Sequence, residues 1–292
     1  MNMTNATKTL GIITIATGKY FEEFIPNLKA SVDQYFVFPG YRVQFYCFTD
    51  SAQHIAEVIN IPIRHFAWPF STLLRYRWIN QNVAQLSSND FLLYMDADMR
   101  VVSTPPASTF EHDCIAVRHP GYLTNPGAFE VDRPDSCYVA PPLRKYYYQG
   151  CFWGGKANVF TDLIQILATQ VDQDLGRGHI PIWHDESYLN HYLSTRQVEP
   201  LSPRYAWPEG EPFSQAPYIL HLEKKHQVIR QAPVAQLDIE GFLKDDDQGV
   251  ELAIYKKLYL NAHEKCQRLE NRLVQKNIGW AKLREWLSYY RR

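Results

Sequence analysis

Two pairs of acids carry the residue types and spacing that could do chemistry. Asp96 and Asp98 flank the small Ala97 and follow an apolar run, Phe91-Leu92-Leu93-Tyr94-Met95, which is itself preceded by Ser87, Ser88, Asn89 and Asp90. Such a run with a polar approach reads as a buried parallel strand. Carboxylates at its carboxyl end lie where open α/β sheets place their ligands. Two adjacent hard oxygen donors suit manganese or magnesium carrying a diphosphate; an ordinary turn is the alternative, since Asp is common at strand ends. The second pair, Asp185 and Glu186, precedes Tyr188, Leu189, Tyr192 and Leu193 at helical spacing, which puts an acid in the cap or first turn of a helix. Free backbone donors and the helix dipole favour an ionised carboxylate there. A capping box accounts for this pair on local residues, but Trp183 adds a flat apolar surface beside candidate nucleophiles.

The elements that must position these acids follow from the pattern around them. Leu10 to Thr17 is rich in β-branched residues and reads as the first strand, with Gly18, Lys19 and Tyr20 after it. In nucleotide-binding α/β folds the loop after this strand holds the base, which makes Ala16, Thr17 and Tyr20 candidates. Phe24, Leu28, Val32 and Phe36 recur at helical spacing over 21–36, and 43–48 forms a second strand. A helix is expected over 73–86, with Leu74, Trp78 and Val83 inward and Arg75 and Arg77 among them. An arginine there is usually solvated, yet its guanidinium fork fits both a diphosphate sugar and an Asp carboxylate. A short strand over 114–117 leads to His119, Pro120, Gly121 and Tyr122, and the Pro-rich, charged stretch 125–142 reads as a loop. In 146–155, YYYQGCFWGG, three glycines let a ligand approach the backbone, or mark a buried strand with a bulge. An amphipathic segment is expected over 159–171.

Composition sets the outer limits. The chain has 292 residues, 30 basic and 31 acidic, so its balance gives no footprint for nucleic acid. The 19 Tyr and 7 Trp suit either stacking on apolar sugar faces or an aromatic core. Cys47, Cys114, Cys137, Cys151 and Cys266 are odd in number and lack metal spacing, and read as reduced thiols. No stretch approaches the roughly 20 apolar residues of a spanning helix, and the expected location is the cytoplasm. Beyond residue 230, Asp245, Asp246 and Asp247 read as a solvated linker and 250 onward as helical. The last helix sets Trp280, Leu283, Trp286 and Leu287 against Lys282, Arg284, Arg291 and Arg292, a pattern that fits peripheral contact with the inner membrane face or packing on protein.

A series of stretches in consistent order resembles glycosyltransferase family 6, the retaining α1,3-galactosyl and N-acetylgalactosaminyl transferases that include the histo-blood-group A and B enzymes. These are FTD at 48–50, MDADM at 95–99, HPGY at 119–122, WGG at 153–155, WHDESYLN at 183–190, LSPRYAW at 201–207 and KKHQVIR at 224–230. The resemblance implies a soluble bacterial or phage-like member with a single GT-A type, Rossmann-like α/β domain over 1–230 around a central mixed sheet, and a C-terminal helical extension over 231–292. It implies transfer of a hexose from a UDP-sugar in α1,3 linkage to a glycan or lipid-linked glycan. Asp96 and Asp98 would bind Mn2+, or Mg2+, under the donor diphosphate. Ala16, Thr17, Tyr20 and Ser71 would contact uridine, and Arg75, Ala97 and Asp185 the donor sugar region. Gln149, Gly150 and Cys151 would select the substituent at the sugar's second carbon. His119, Trp183, Glu130 and Glu209 would line the acceptor, Glu186 would be the catalytic carboxylate touching it, and Lys224 and Arg230 would close over the diphosphate.

Departures from the family pattern carry information too. Many bacterial members lack the acidic pair, so Asp96 and Asp98 predict metal dependence. Glu130 stands where relatives have Thr, and Pro208 with Glu209 where they have Asp, which leaves the acceptor open. Cys151 is bulkier than the usual Gly or Ala and leans towards galactose. Two rival classes are a haloacid-dehalogenase-like phosphatase, which also sets an Asp-x-Asp after a buried strand, and a noncatalytic carbohydrate-binding protein. Met99 and Arg100 do not continue the phosphatase pattern, and a binding protein needs no metal pair with a capped carboxylate.

Overall fold

Seven strands form the central sheet of the computed structural model, which describes residues 7–66, 70–131, 133–177 and 179–224. Their order is β3-β2-β1-β4-β7-β6-β8, built from β1 (Lys8–Ile15), β2 (Tyr41–Thr49), β3 (Val58–Pro62), β4 (Phe91–Met95), β6 (Cys114–Arg118), β7 (Tyr148–Lys156) and β8 (Glu199–Leu201). β1, β2, β3 and β4 run parallel, while β7 lies antiparallel between β4 and β6. The sheet is therefore mixed, as a GT-A-like domain requires. The first strand sits between the second and the fourth, so strand order reverses between β1 and β4. Ligands of open α/β sheets bind at the carboxyl ends beside such a reversal. The residues after β1 and the acids after β4 are brought side by side there.

The chain divides into one unit of 1–172 with 181–225 and another of 173–180 with 226–292. The expected extension over 231–292, its membrane-facing helix, and Arg230 lie outside the described residues. Among the described residues no helix is long and apolar enough to cross a membrane.

The first unit's core explains much of the aromatic content. Trp153 stacks on Tyr94 at 5.0 Å and on Phe160 at 5.3 Å, and Tyr76, Tyr94, Tyr188 and Trp153 are fully buried. These rings are structural, with contributions typical of buried aromatic pairs. α1 (Lys19–Tyr35) buries Phe21, Phe24, Ile25, Leu28 and Val32, in line with its periodicity.

Three features differ from the sequence expectation. β4 is parallel only to β1; its other edge pairs antiparallel with β7, because both neighbours bury apolar faces and the run alone cannot specify direction. The helix expected over 73–86 is broken into α2 (Phe70–Leu73), α3 (Arg75–Gln81) and a 3-10 turn over Val83–Leu86. Asn82 competes with the helix there: its side chain donates to the Trp78 carbonyl and accepts from Gln85. Finally, a small sheet of β5 (Met99–Val101), β10 (Ile219–His221) and β9 (Trp207–Pro208) was not foreseen, since such short strands carry no periodic signal. The amphipathic segment expected over 159–171 is the middle of α4 (Ala157–Gly176).

Gly154 lies in β7 where an added Cβ would stand 2.4 Å from the Leu92 carbonyl oxygen. Gly154→Ala should therefore force the β4–β7 ladder apart and lower stability by about 2 kcal/mol or more, read as a fall in the urea midpoint.

Candidate active site

Asp96 leaves the end of β4 with its backbone N–H bonded to the Cys151 carbonyl at 2.9 Å, so the acidic pair is tied to β7. Asp98 is buried, and Ala97 between the two acids is buried as well. The chain then enters β5, whose partner β10 places His221 opposite Met99. Leu222 N–H bonds to the Asp98 carbonyl at 2.8 Å and locks that crossing. One ligand atom from each of Asp96, Asp98 and His221 lies within 4.8 Å of the other two. Burial alone would raise the Asp98 carboxyl, but Lys224 and His221 beside it hold it well below the usual carboxylate range. Lys224 forms an ion pair with Asp98 Oδ2, and its ammonium lies 5.8 Å from the centre of the Tyr20 ring.

Arg75 is the hub. Its Nη1 donates to the Gly150 carbonyl at 2.8 Å and lies 3.1 Å from Asp185 Oδ2, and its Nη2 is 3.4 Å from Asp96 Oδ1. The guanidinium sits 4.5 Å from the Tyr94 ring centre and the side chain is buried, unlike a solvated arginine. Three segments far apart in sequence thus share one cation. Of the alternatives open at Arg75, the fork engages carboxylates.

Asp185 and Glu186 occupy the first turn of α5 (Asp185–Leu193), after His184 at φ 51°. That left-handed backbone at a non-glycine residue costs about 1–3 kcal/mol, and it turns the helix start towards β7. A capping box is not what forms. Glu186 Oε1 accepts from the Tyr147 hydroxyl at 2.7 Å and Oε2 from Gly150 N–H at 2.8 Å. Burial raises the Glu186 carboxyl to about 7, against the opposing pull of those two donors. Burial likewise raises Asp185 to about 6, although Arg75 counteracts it. An added Cβ at Gly150 would stand 3.3 Å from Asp185 Oδ2 and 3.5 Å from the Glu186 carboxylate, so the glycine keeps this corner open.

Around Glu186 lies an aromatic wall. Tyr147 packs edge-on to Phe129 and Tyr122 at 5.0 Å each, Trp183 packs on the same cluster, and His119 stacks near Tyr122 at 4.8 Å. Burial, with His221 nearby, lowers the His119 imidazole to about 4, and its Nδ1 accepts from Gly121 N–H. Glu130 is buried behind this wall, its Oε2 accepting from Ile182 N–H at 3.0 Å, which braces the segment leading to Trp183 and Glu186. Glu209 is on the rim, paired with Arg100 at 2.9 Å and accepting from Glu223 N–H. On the β1 side, Ala16 is buried, Thr17 Oγ1 meets His65 Nδ1 at 2.9 Å, and Tyr20 packs on Phe24 at 5.5 Å. Ser71 is half-buried in α2.

Sequence reasoning missed Tyr147, His221, His65 and Thr72, the last contacting Asp185. For Tyr147 the tyrosine run was visible without a reason to choose among its members, and His221 carried no local signal at all.

Removing the hub should expose its weight. Arg75→Met leaves buried carboxylates without their cation and should lower stability by about 3–5 kcal/mol; Arg75→Lys keeps the charge, loses the fork and should recover only part of the urea midpoint.

A sequence model of glycosyltransferase family 6 matches residues 2–231. Among curated proteins, the chain is 34% identical over 208 residues to the O-antigen biosynthesis glycosyltransferase WbnI of Escherichia coli, covering 68% of this chain and 88% of the relative. It is 30% identical over 219 residues to globoside alpha-1,3-N-acetylgalactosaminyltransferase 1 of Homo sapiens, covering 70% and 62% respectively. Identity to histo-blood group ABO system transferase 2 of Rattus norvegicus is 27% over 242 residues, 76% of this chain and 71% of the relative. With a match over most of its length and the acidic pair, buried arginine and first-turn carboxylates assembled beside the carboxyl end of β4, this chain belongs to glycosyltransferase family 6 and is a retaining hexosyltransferase.

Proposed function

We propose that the chain transfers galactose, or alternatively N-acetylgalactosamine, from a UDP-sugar in α1,3 linkage to a glycan acceptor with retention, in a metal-dependent reaction. Residues 1–230 would form the catalytic domain and 231–292 an extension. The observation that carries the reading is Arg75, which holds Asp96 on the metal side and Asp185 on the sugar side of one pocket. Family membership supports a sugar donor and a glycan acceptor, and the residues support the finer choices.

Asp96 and Asp98 fit a divalent ion in chemistry: two hard carboxylates with a buried imidazole nitrogen beside them. When bound, Mn2+ would offset the charge that gathers on the departing diphosphate. Lys224, within reach of Asp98 and Tyr20, would add a second positive charge there, with Arg230 beyond it. Ala16, Thr17, Tyr20 and Ser71 would hold uridine along the end of β1. Asp185, fixed by Arg75, would accept donor-sugar hydroxyls. Gln149, Gly150 and Cys151 would bound the sugar's second carbon, where the buried Cys151 leaves less room than Ala.

Glu186 is the proposed catalytic group. As the bond from the anomeric carbon to the diphosphate breaks, its electron pair leaves with UDP and positive charge grows on the sugar. A carboxylate aimed by Tyr147 and Gly150 stabilises that charge from the face opposite the leaving group. Trp183 and His119 would present the acceptor hydroxyl, and the aromatic wall keeps water away.

The test is UDP release from a panel of UDP-sugars, with and without Mn2+ and without acceptor. Metal-dependent release from UDP-galactose is expected, and an absence of UDP binding would overturn the reading. Glu186→Gln should retain UDP-sugar affinity while transfer falls by about 10³-fold or more, because the charge acts in the transition state; parallel loss of both would remove Glu186 from that role.

Catalysis needs Glu186 ionised, and its carboxyl stands at about 7 with Asp185, Arg75, Tyr147 and the Gly150 N–H facing it. The donor kcat/KM should then rise with pH through neutrality and level off above it. Tyr147→Phe removes a hydrogen bond that favours the ionised form, so this inflection should move to higher pH.

A further inference from the structure

We propose that His221 is a third protein ligand to the divalent ion and that Gln149 selects its tautomer, an inference that rests on the metal-dependent reading of Asp96 and Asp98. Antiparallel pairing of β10 with β5 sets His221 beside Asp98, and the Leu222-to-Asp98 backbone bond fixes the register. His221 Nε2 is buried and faces Asp98 Oδ2 at 3.4 Å, a long contact that makes no well-directed hydrogen bond. A buried imidazole nitrogen in that condition loses its solvation without recompense. Its other nitrogen, Nδ1, lies 3.1 Å from the Gln149 amide nitrogen, and the Gln149 Oε1 is likewise buried and without a partner.

One change gives the Gln149 oxygen a partner and leaves His221 Nε2 for a cation. Turning the Gln149 amide over brings Oε1 to His221 Nδ1, where it accepts the Nδ1 proton. The Nε2 lone pair then points at Asp96 and Asp98. A lone pair facing two carboxylates is repulsive by itself and favourable with a cation between them. Imidazole ligands usually have their second nitrogen held by such an acceptor, which fixes ring orientation and raises basicity. Two carboxylates and an imidazole suit Mn2+ better than Mg2+, which prefers an all-oxygen shell. The same Gln149 adjoins Gly150 and the proposed sugar pocket, so the ion and the sugar site share a residue.

The experiment is Mn2+ binding followed by electron paramagnetic resonance of the full chain, with and without UDP, together with pulsed measurements of nitrogen coupling. Wild-type protein should show an imidazole nitrogen coupled to Mn2+ that changes to the 15N pattern on 15N-histidine labelling. His221→Ala should abolish that coupling and weaken Mn2+ by about tenfold or more; Gln149→Leu should keep it while weakening Mn2+ by about tenfold. Absence of histidine coupling in wild-type protein that binds Mn2+ through Asp98, as shown by loss of binding in Asp98→Asn, overturns the proposal and leaves the acidic pair standing. Absence of Mn2+ binding by wild-type protein, even with UDP, overturns both.

Discussion

A single buried guanidinium holds this site together. Arg75 reaches Asp96, Asp185 and the Gly150 carbonyl at once and stacks on Tyr94, so strand β4, strand β7 and helix α5 meet through it. Setting two acids against one buried cation is expensive in solvation. The planar fork makes it tolerable by satisfying several acceptors in fixed directions. The helical stretch is interrupted at Leu74, and a short α3 starts at Arg75 itself.

The two groups of acids joined by Arg75 are held differently. At the end of β4, carboxylates come from the loop after the strand, and the three-stranded sheet brings His221, with Lys224 just after it, to Asp98. Positive and negative groups neutralise one another there, and Asp98 stays ionised. On the α5 side, two acids sit in the first turn of the helix with backbone strain at His184 just before them. Burial dominates on that side, and Glu186 rises to about 7 despite two hydrogen bonds. Carboxylates close in space are thereby separated in proton affinity by their surroundings.

Glu130 and Tyr147 illustrate how support residues differ from contact residues. Glu130 is buried and its carboxylate accepts from the Ile182 N–H, so it braces the segment that leads to Trp183. Tyr147 belongs at once to the aromatic wall and to the Glu186 carboxylate.

Much was legible in the chain itself. The apolar run ending in Asp96 and Asp98, the helical spacing after Asp185 and Glu186, and the β-branched first strand are local patterns, and local patterns survive into the fold because hydrophobic periodicity sets which face is buried. The ordered motif series likewise identified the family. Direction of strand pairing, the broken helix, the small sheet, and the partners of Arg75, Glu186 and Asp98 were decided only in three dimensions. Those depend on residues distant in sequence, such as Tyr147 meeting Glu186 and His221 meeting Asp98, and on desolvation, which a linear chain does not have until it folds.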